Sequence, residues 1–472
     1  MNHGSDQTFC PPLNPWQCEI TMSETFRNLV EHAQILIEEH KIPGAAIGVL
    51  HDGEIEAAGV GVTSVAHPLP VTADTRFQVG SITKTFVGSA IMRLVEQGSL
   101  ELDAPLRQLI PGLRLRDPEA QERATLRHTL THTGGWVGDF FDDLGWGDDA
   151  LRRMVEERMP TNPQELPLGA TFSYNNAGFY LAGRAIELAT GQTFEAAIAD
   201  LIWRPLGLQQ SCFFPEDVML HRFAVGHIQR EAGPEVAVPW PIGRAAHAPG
   251  GIVSTVGDLL RYAQAHFSGP SPILAAESRT AMQTPGVSTI GDDEHVGLTW
   301  FTNALSDGTR VIRHSGGTNG QIAGFWVVPE QHFALAVLTN ASNGGLLTRP
   351  LYLQAIAGYL GLDDPDPAPV PLAPEHMRAV AGRYTSALAD AIIEPGDDGL
   401  LLHMHPRGGF PRPDSPPGPT PPPTPLVFYT STCVLATAGP FRGGRGEFGG
   451  WQNERPTWFR FGARARLREV EA

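Results

Sequence analysis

Two groups of apolar runs, far apart in the chain, set the strongest limit on the fold. Ala45–Leu50 and Ile55–Val62 flank a turn at Asp52-Gly53. Much further along, Thr309–Arg313, Ile322–Val328 and Phe333–Leu338 alternate or run apolar, each followed by turn residues. Short runs bounded by Gly, Asp and Asn read as strands, here antiparallel ones. Between the two groups lie helical patterns at 149–158, 177–190 and Thr255–His266, in a region rich in Pro, Gly and charge. The expected class is α+β: one antiparallel sheet flanked by helices joins the two ends, and the middle forms a helical lobe. The cleft between sheet and lobe is the expected site.

A change of composition marks a second unit. The 472 residues are enough for two or three domains. Residues 1–22 are polar and Pro-containing and read as a poorly ordered tail, with Met22-Ser23 as an alternative start of translation. The main domain is expected over 23–362, a Pro-rich linker over 363–372 and a C-terminal β-rich, barrel-like domain over 373–472. That last stretch holds 11 Arg against 10 Asp plus Glu, so the whole of the net charge of −17 lies before it. Within it Ala391–Glu394, Leu400–Met404, Leu426–Thr430 and Thr457–Leu467 read as strands, with a turn at Asp397-Asp398-Gly399 and a Pro-rich loop at Pro411–Pro425. The negative balance argues against nucleic acid or an anionic membrane as partner. No apolar run is long enough to span a bilayer. Met1–Thr21 lacks the basic and apolar blocks of a signal peptide, so a cytoplasmic location is expected. Of the four cysteines, Cys10 and Cys18 are near enough to bridge, and none has zinc spacing.

The chain has only two lysines, Lys41 and Lys84, among 34 basic side chains. Lys84 stands three residues after Ser81. On a helix beginning at Ser81 the two share a face, one turn apart. A serine hydroxyl needs a nearby base to become a nucleophile. Arg cannot be deprotonated in a protein, whereas a buried Lys can. Keeping Lys at this position in an Arg-rich chain points to proton chemistry; the plain alternative is an N-cap serine and a solvated lysine.

Two further motifs could complete a site. Ser173-Tyr174-Asn175-Asn176 precedes a helical run, and Tyr174 offers a phenol whose pKa a lysine cation would lower. Asn176 offers a positioning amide. Arg313-His314-Ser315-Gly316-Gly317-Thr318 follows a strand and leaves backbone N–H groups free to face a ligand. His128 and His132, four apart, could share a helix face, but no third ligand is evident, and capping and packing are the better reading. No G-x-S-x-G elbow, P-loop or dinucleotide fingerprint occurs. No metal or cofactor is expected.

Taken together and in order, Ser81-Ile82-Thr83-Lys84, Tyr174-Asn175-Asn176 and His314-Ser315-Gly316 resemble the signature elements of serine β-lactamases and penicillin-binding-protein-like hydrolases. The Tyr-x-Asn element is similar to the class C branch, with its D-aminopeptidases and β-lactamase-like esterases. Arg127–Gly135 and Pro249–Ser254 with Asp258 resemble two further family stretches. The resemblance spans about Ser23–Leu360. It implies a metal-independent enzyme that cleaves an ester or amide through an acyl-Ser81 intermediate, as a carboxylesterase or D-amino-acid peptidase does. Lys84 and Tyr174 would share the general-base role, and Asn176, His314, Ser315 and Gly316 would hold the substrate. The N–H groups of Ser81 and Gly317 would form the oxyanion hole. His314 replaces the lysine of typical β-lactamases, which places β-lactam hydrolysis second. A binding module that senses a peptide or cell-wall fragment is the alternative of another class. The expected partner is a small ester, peptide or lactam, and a homo-oligomer is left open.

Overall fold

The structure is a computed structural model that describes residues 22–396 and 399–469. The expected tail before Met22, the Cys10–Cys18 bridge and the Asp397-Asp398 part of a turn lie outside the described residues. Eight strands form one sheet in the spatial order Glu54–Gly61, Gly44–His51, Phe333–Thr339, Gln321–Val328, Arg310–Thr318, Phe301–Ala304, Glu294–Val296 and Val287–Ile290. All neighbours are antiparallel. The first hairpin docks directly on the last strand of the sheet, in register from Ala45 opposite Thr339 to His51 opposite Phe333. The two distant apolar groups therefore meet at the centre, as the sequence implies.

Burial explains why these strands read as apolar runs. Phe333–Thr339 is buried along its whole length. Its alternate side chains enter two different cores. Leu335 and Val337 pack with Phe26, Leu29 and Leu351 of the helices Glu24–Glu39 and Gly345–Ala355. Ala336 and Leu338 pack on the other face with Phe86, Ile91 and Leu260 of the helices Thr83–Glu96 and Val256–Gln264. Each large side chain so buried contributes roughly 1.5–3 kcal/mol. The lobe between them is helical, with Ala177–Thr190 as its central helix. No helix among the described residues is long and apolar enough to cross a membrane.

The eight strands from Gly382–Thr385 to Arg464–Arg468 close into an antiparallel barrel. Its last strand, Arg464–Arg468, pairs with its first, Gly382–Thr385. Closure leaves no open edge. The interior holds Tyr384, Ile393, Leu402, Phe428, Phe448 and Phe459. One expectation is corrected here. Thr457–Leu467 is not a single strand but a tight hairpin, Trp458–Phe461 and Arg464–Arg468, in register from Phe461 opposite Arg464. The turn residues Gly462 and Ala463 have φ of +60° and +66°. Such a two-residue turn needs left-handed backbone at both positions, and an alanine there hides the turn from a reading by residue type.

That hairpin docks the barrel on the lobe. The Tyr174 N–H donates to the Ala463 carbonyl at 2.8 Å. The Ala465 N–H donates to Ser173 Oγ at 3.2 Å. Arg460, 2% exposed, donates to the Phe172 carbonyl at 2.8 Å and pairs with Glu447. Arg460→Met would leave both acceptors without a donor. It is expected to cost about 3 kcal/mol, the scale for breaking a buried ion pair. Chemical denaturation followed by tryptophan fluorescence would read this as a lower midpoint.

Candidate active site

Ser81 sits where the sheet edge and the lobe meet. Gly80–Ile82 forms one turn of 3₁₀ helix that runs into the α-helix Thr83–Glu96, so the α-helix starts two residues later than the sequence suggests. Gly80 has φ of +53°, and a Cβ there would lie 2.7 Å from the Gly317 nitrogen. Only glycine fits both the backbone conformation and the contact. The third motif lies inside the strand Arg310–Thr318 rather than after it. Phe301–Ala304 pairs with Arg310–Arg313 alone. From His314 onward the Ser81 turn, not another strand, covers that side. A Cβ at Gly316 would fall 1.9 Å from the Val79 carbonyl oxygen and 3.1 Å from the Ser81 nitrogen. Gly316 thus does not line the cleft, contrary to its expected substrate role; it allows the serine turn to press against the strand.

Lys84 is fully buried behind Ser81. Its Nζ lies 3.0 Å from Ser81 Oγ, 2.6 Å from Asn176 Oδ1 and 2.6 Å from the Pro249 carbonyl. The last two atoms can only accept. A neutral amine has two N–H groups for them and one lone pair, which is left to face the serine hydroxyl. Burial pushes the Lys84 pKa well below its ordinary value, and the Arg464 cation adds to the shift. The Pro249 carbonyl belongs to the helical turn His247–Gly250, anchored by His247 on Glu195 at 2.7 Å.

Asn175 fastens the second motif. Its Oδ1 accepts from Trp136 Nε1 and from the Gly178 N–H, each at 2.9 Å, and its Nδ2 donates to the Trp136 carbonyl at 2.6 Å. Tyr174 stacks on His132 at 4.4 Å between ring centroids. Its hydroxyl is buried and faces Ser81 without closing a hydrogen bond of good geometry. The expected fall of the tyrosine pKa is not found. Burial pushes it up, against a smaller opposing effect of Ser81. The Arg464 cation also opposes the rise, and it too is outweighed. His314 donates from Nδ1 to the Ser315 carbonyl at 2.6 Å and leaves Nε2 buried without a partner. Burial and then Lys84 lower its pKa to about 3, so it is neutral at pH 7. His128 serves as a cap, with Nδ1 2.8 Å from Thr125 Oγ1.

Ser81, Tyr174, Asn176, His314, Ser315 and Gly317 line one cleft of about 410 Å³. Phe141, Trp146, Ile242 and Phe301 add apolar walls, and Leu388, Phe410 and Pro411 of the barrel add more. Phe141 and Phe410 meet edge-on at 4.9 Å across the domains. Two groups escaped the sequence reading. Asp139 accepts from Asn176 Nδ2 at 2.7 Å and from Arg464 of the barrel at 2.5 and 3.0 Å. The only signal for Asp139 was its place just after the Arg127–Gly135 stretch. Arg464 was hidden by the unread hairpin.

Residues 23–358 match the family described as Beta-lactamase. The chain belongs to that family. Members of the family are serine hydrolases. A relative named penicillin-binding protein 4, from Amycolatopsis lactamdurans, is 31% identical over 75% of this chain and 96% of its own length. Esterase EstB of Burkholderia gladioli is 32% identical over 44% of this chain and 58% of that protein. Among solved structures, SurE is 25% identical with a TM-score of 0.72, covering 94% of this chain and 99% of SurE, barrel included. A second structure, SurE with D-Leu, gives a TM-score of 0.69 at the same identity and coverage.

Gly316→Ala tests the serine's placement. The added methyl must displace Val79 and Ser81, at about 1–3 kcal/mol for overpacking. Thermal unfolding should show that cost, and labelling of Ser81 by a fluorophosphonate, followed by intact mass, should slow at least tenfold.

Proposed function

We propose that the chain is a serine hydrolase that cleaves an ester or amide of an apolar acyl group, through acyl-Ser81, with Lys84 as the base. The observation that carries this reading is the triple contact of Lys84 Nζ, which leaves its lone pair to Ser81 Oγ. As Oγ bonds to the substrate carbonyl carbon, its proton passes to Lys84. The N–H groups of Ser81 and Gly317 receive the oxyanion. Tyr174, held protonated by burial, passes a proton to the leaving group and is recharged from Lys84. Water then attacks the acyl carbon, gives a proton back through the same pair, and frees Ser81. Asn176 and His314 position the substrate, with the unpartnered His314 Nε2 as an acceptor.

The neutral His314 offers no cation to a lactam carboxylate, which keeps β-lactam hydrolysis second. The aromatic walls suit an apolar acyl group, and the D-Leu bound by SurE favours a D-configured residue there. A non-catalytic module has no need of a buried lysine beside a serine. The test is a panel of p-nitrophenyl butyrate, D- and L-leucine p-nitroanilide and nitrocefin. Turnover is expected with the ester and the D-anilide. Ser81→Ala and Lys84→Arg should each lose at least about 10³-fold. For the wild type kcat/KM should fall as pH drops through the lowered Lys84 pKa, because the ammonium cannot take a proton. No limb near pH 6–7 should come from His314, already neutral there. Retained turnover in Ser81→Ala would refute the reading.

A further inference from the structure

We propose that Arg464, from the last hairpin of the barrel, is a positioning residue for the hydrolase site, acting on Lys84 through Asp139 and Asn176. The inference rests on the proposed role of Lys84 as base. Four side chains form one hydrogen-bonded line. Arg464 holds Asp139 with two bonds at 2.5 and 3.0 Å. Asp139 Oδ1 accepts from Asn176 Nδ2 at 2.7 Å, and Asn176 Oδ1 accepts from Lys84 Nζ at 2.6 Å. A carboxylate only accepts, so Asn176 must turn its NH₂ to Asp139 and its carbonyl oxygen to Lys84. Were the amide reversed, Lys84 would face a donor and its lone pair would be drawn away from Ser81.

The second part of the role is electrostatic. Asp139 is a mostly buried carboxylate one amide away from the base. Left alone, it would favour the lysine ammonium and hold the proton that the reaction must move. The Arg464 guanidinium cancels it. The same guanidinium lies 4.9 Å from the centre of the Tyr174 ring, beside the second proton carrier. The other groups that face Lys84 are Ser81, Tyr174, the Pro249 carbonyl, His132 and His314. Burial keeps both histidines neutral, so Asp139 and Arg464 are the charges that matter there. Arg464 opposes the charged form of Lys84 and Asp139 favours it. The hydrolase domain therefore has its base set in part by the barrel.

The experiment follows the rate at which a fluorophosphonate labels Ser81 in the full-length protein, read by intact mass from pH 5 to 10. In Arg464→Ala the acid limb should move to higher pH by about one unit or more, the scale for a carboxylate gained as neighbour. Labelling at pH 7 should then fall about tenfold and recover at high pH. Asp139→Asn should move the limb the other way. The double variant Asp139→Asn/Arg464→Ala should return it towards wild type, and Arg464→Lys should largely keep it in place. A role in barrel docking alone predicts slower labelling in Arg464→Ala with an unmoved limb and no rescue by the second substitution, and that result overturns the inference. Wild type that is not labelled at Ser81 at any pH would overturn the functional reading, and the inference with it. Wild type labelled normally, with four unmoved limbs in the variants, would overturn the inference alone.

Discussion

A fully buried lysine whose Nζ meets two obligate acceptors and a serine hydroxyl is the constraint on which the rest of the structure depends. Stripping a lysine of water disfavours its charge. In the neutral form the Asn176 and Pro249 oxygens take the two N–H groups, at 2.6 Å each, and leave the lone pair to Ser81. Meeting that geometry requires three separate pieces of chain. The 3₁₀ turn and the helix that continues it bring Ser81 and Lys84, the start of the lobe's central helix brings Asn176, and the His247–Gly250 turn brings the Pro249 carbonyl. Arg in place of Lys84 could make similar contacts but could not give up a proton. A chain with 34 basic residues that uses lysine at only two of them is consistent with that distinction.

The sheet, lobe and barrel divide the work around this centre. The sheet supplies a strand edge from which the neighbouring strand withdraws after Arg313, leaving room for the serine turn. The lobe supplies Tyr174 and Asn176, tied down by Asn175 on Trp136. The barrel does more than sit beside the domain. Its Ala463 carbonyl receives the Tyr174 N–H, its Arg460 anchors the Phe172 carbonyl, and Phe410 and Leu388 wall the cleft. The result is a cleft with mostly apolar walls and a few buried polar atoms, Tyr174 OH and His314 Nε2 among them, that have no partner within the protein. Buried polar atoms without partners are costly unless a ligand satisfies them.

Much of this was legible in the residues. The apolar runs at Ala45–Leu50, Ile322–Val328 and Phe333–Leu338 were readable because strands covered on both faces carry almost no polar side chains. Ser81 and Lys84 were readable because of their spacing and the scarcity of lysine. Tyr174, Asn176 and His314 were readable as motifs, and all five come together. Gly316 was placed at the site but given the wrong task, since its value lies in what a side chain would strike. The direction of the Tyr174 pKa was misread because burial, invisible in sequence, outweighs the nearby charge. The hairpin at Gly462-Ala463 was missed because Trp458–Leu467 alternates like one strand and alanine is a rare left-handed residue. With it went Arg464 and its partner Asp139, whose meeting depends on two distant segments and on no local pattern.

The most direct measurement is the titration of Lys84 itself. With lysine labelled by ¹³C at Cε, the protein yields two side-chain signals, and Lys41→Arg assigns them. The Lys84 signal should titrate with a midpoint well below the ordinary lysine value of about 10.4. A midpoint at or above that value would mean that Lys84 is an ammonium at working pH, and the account of it as the base that activates Ser81 would fail.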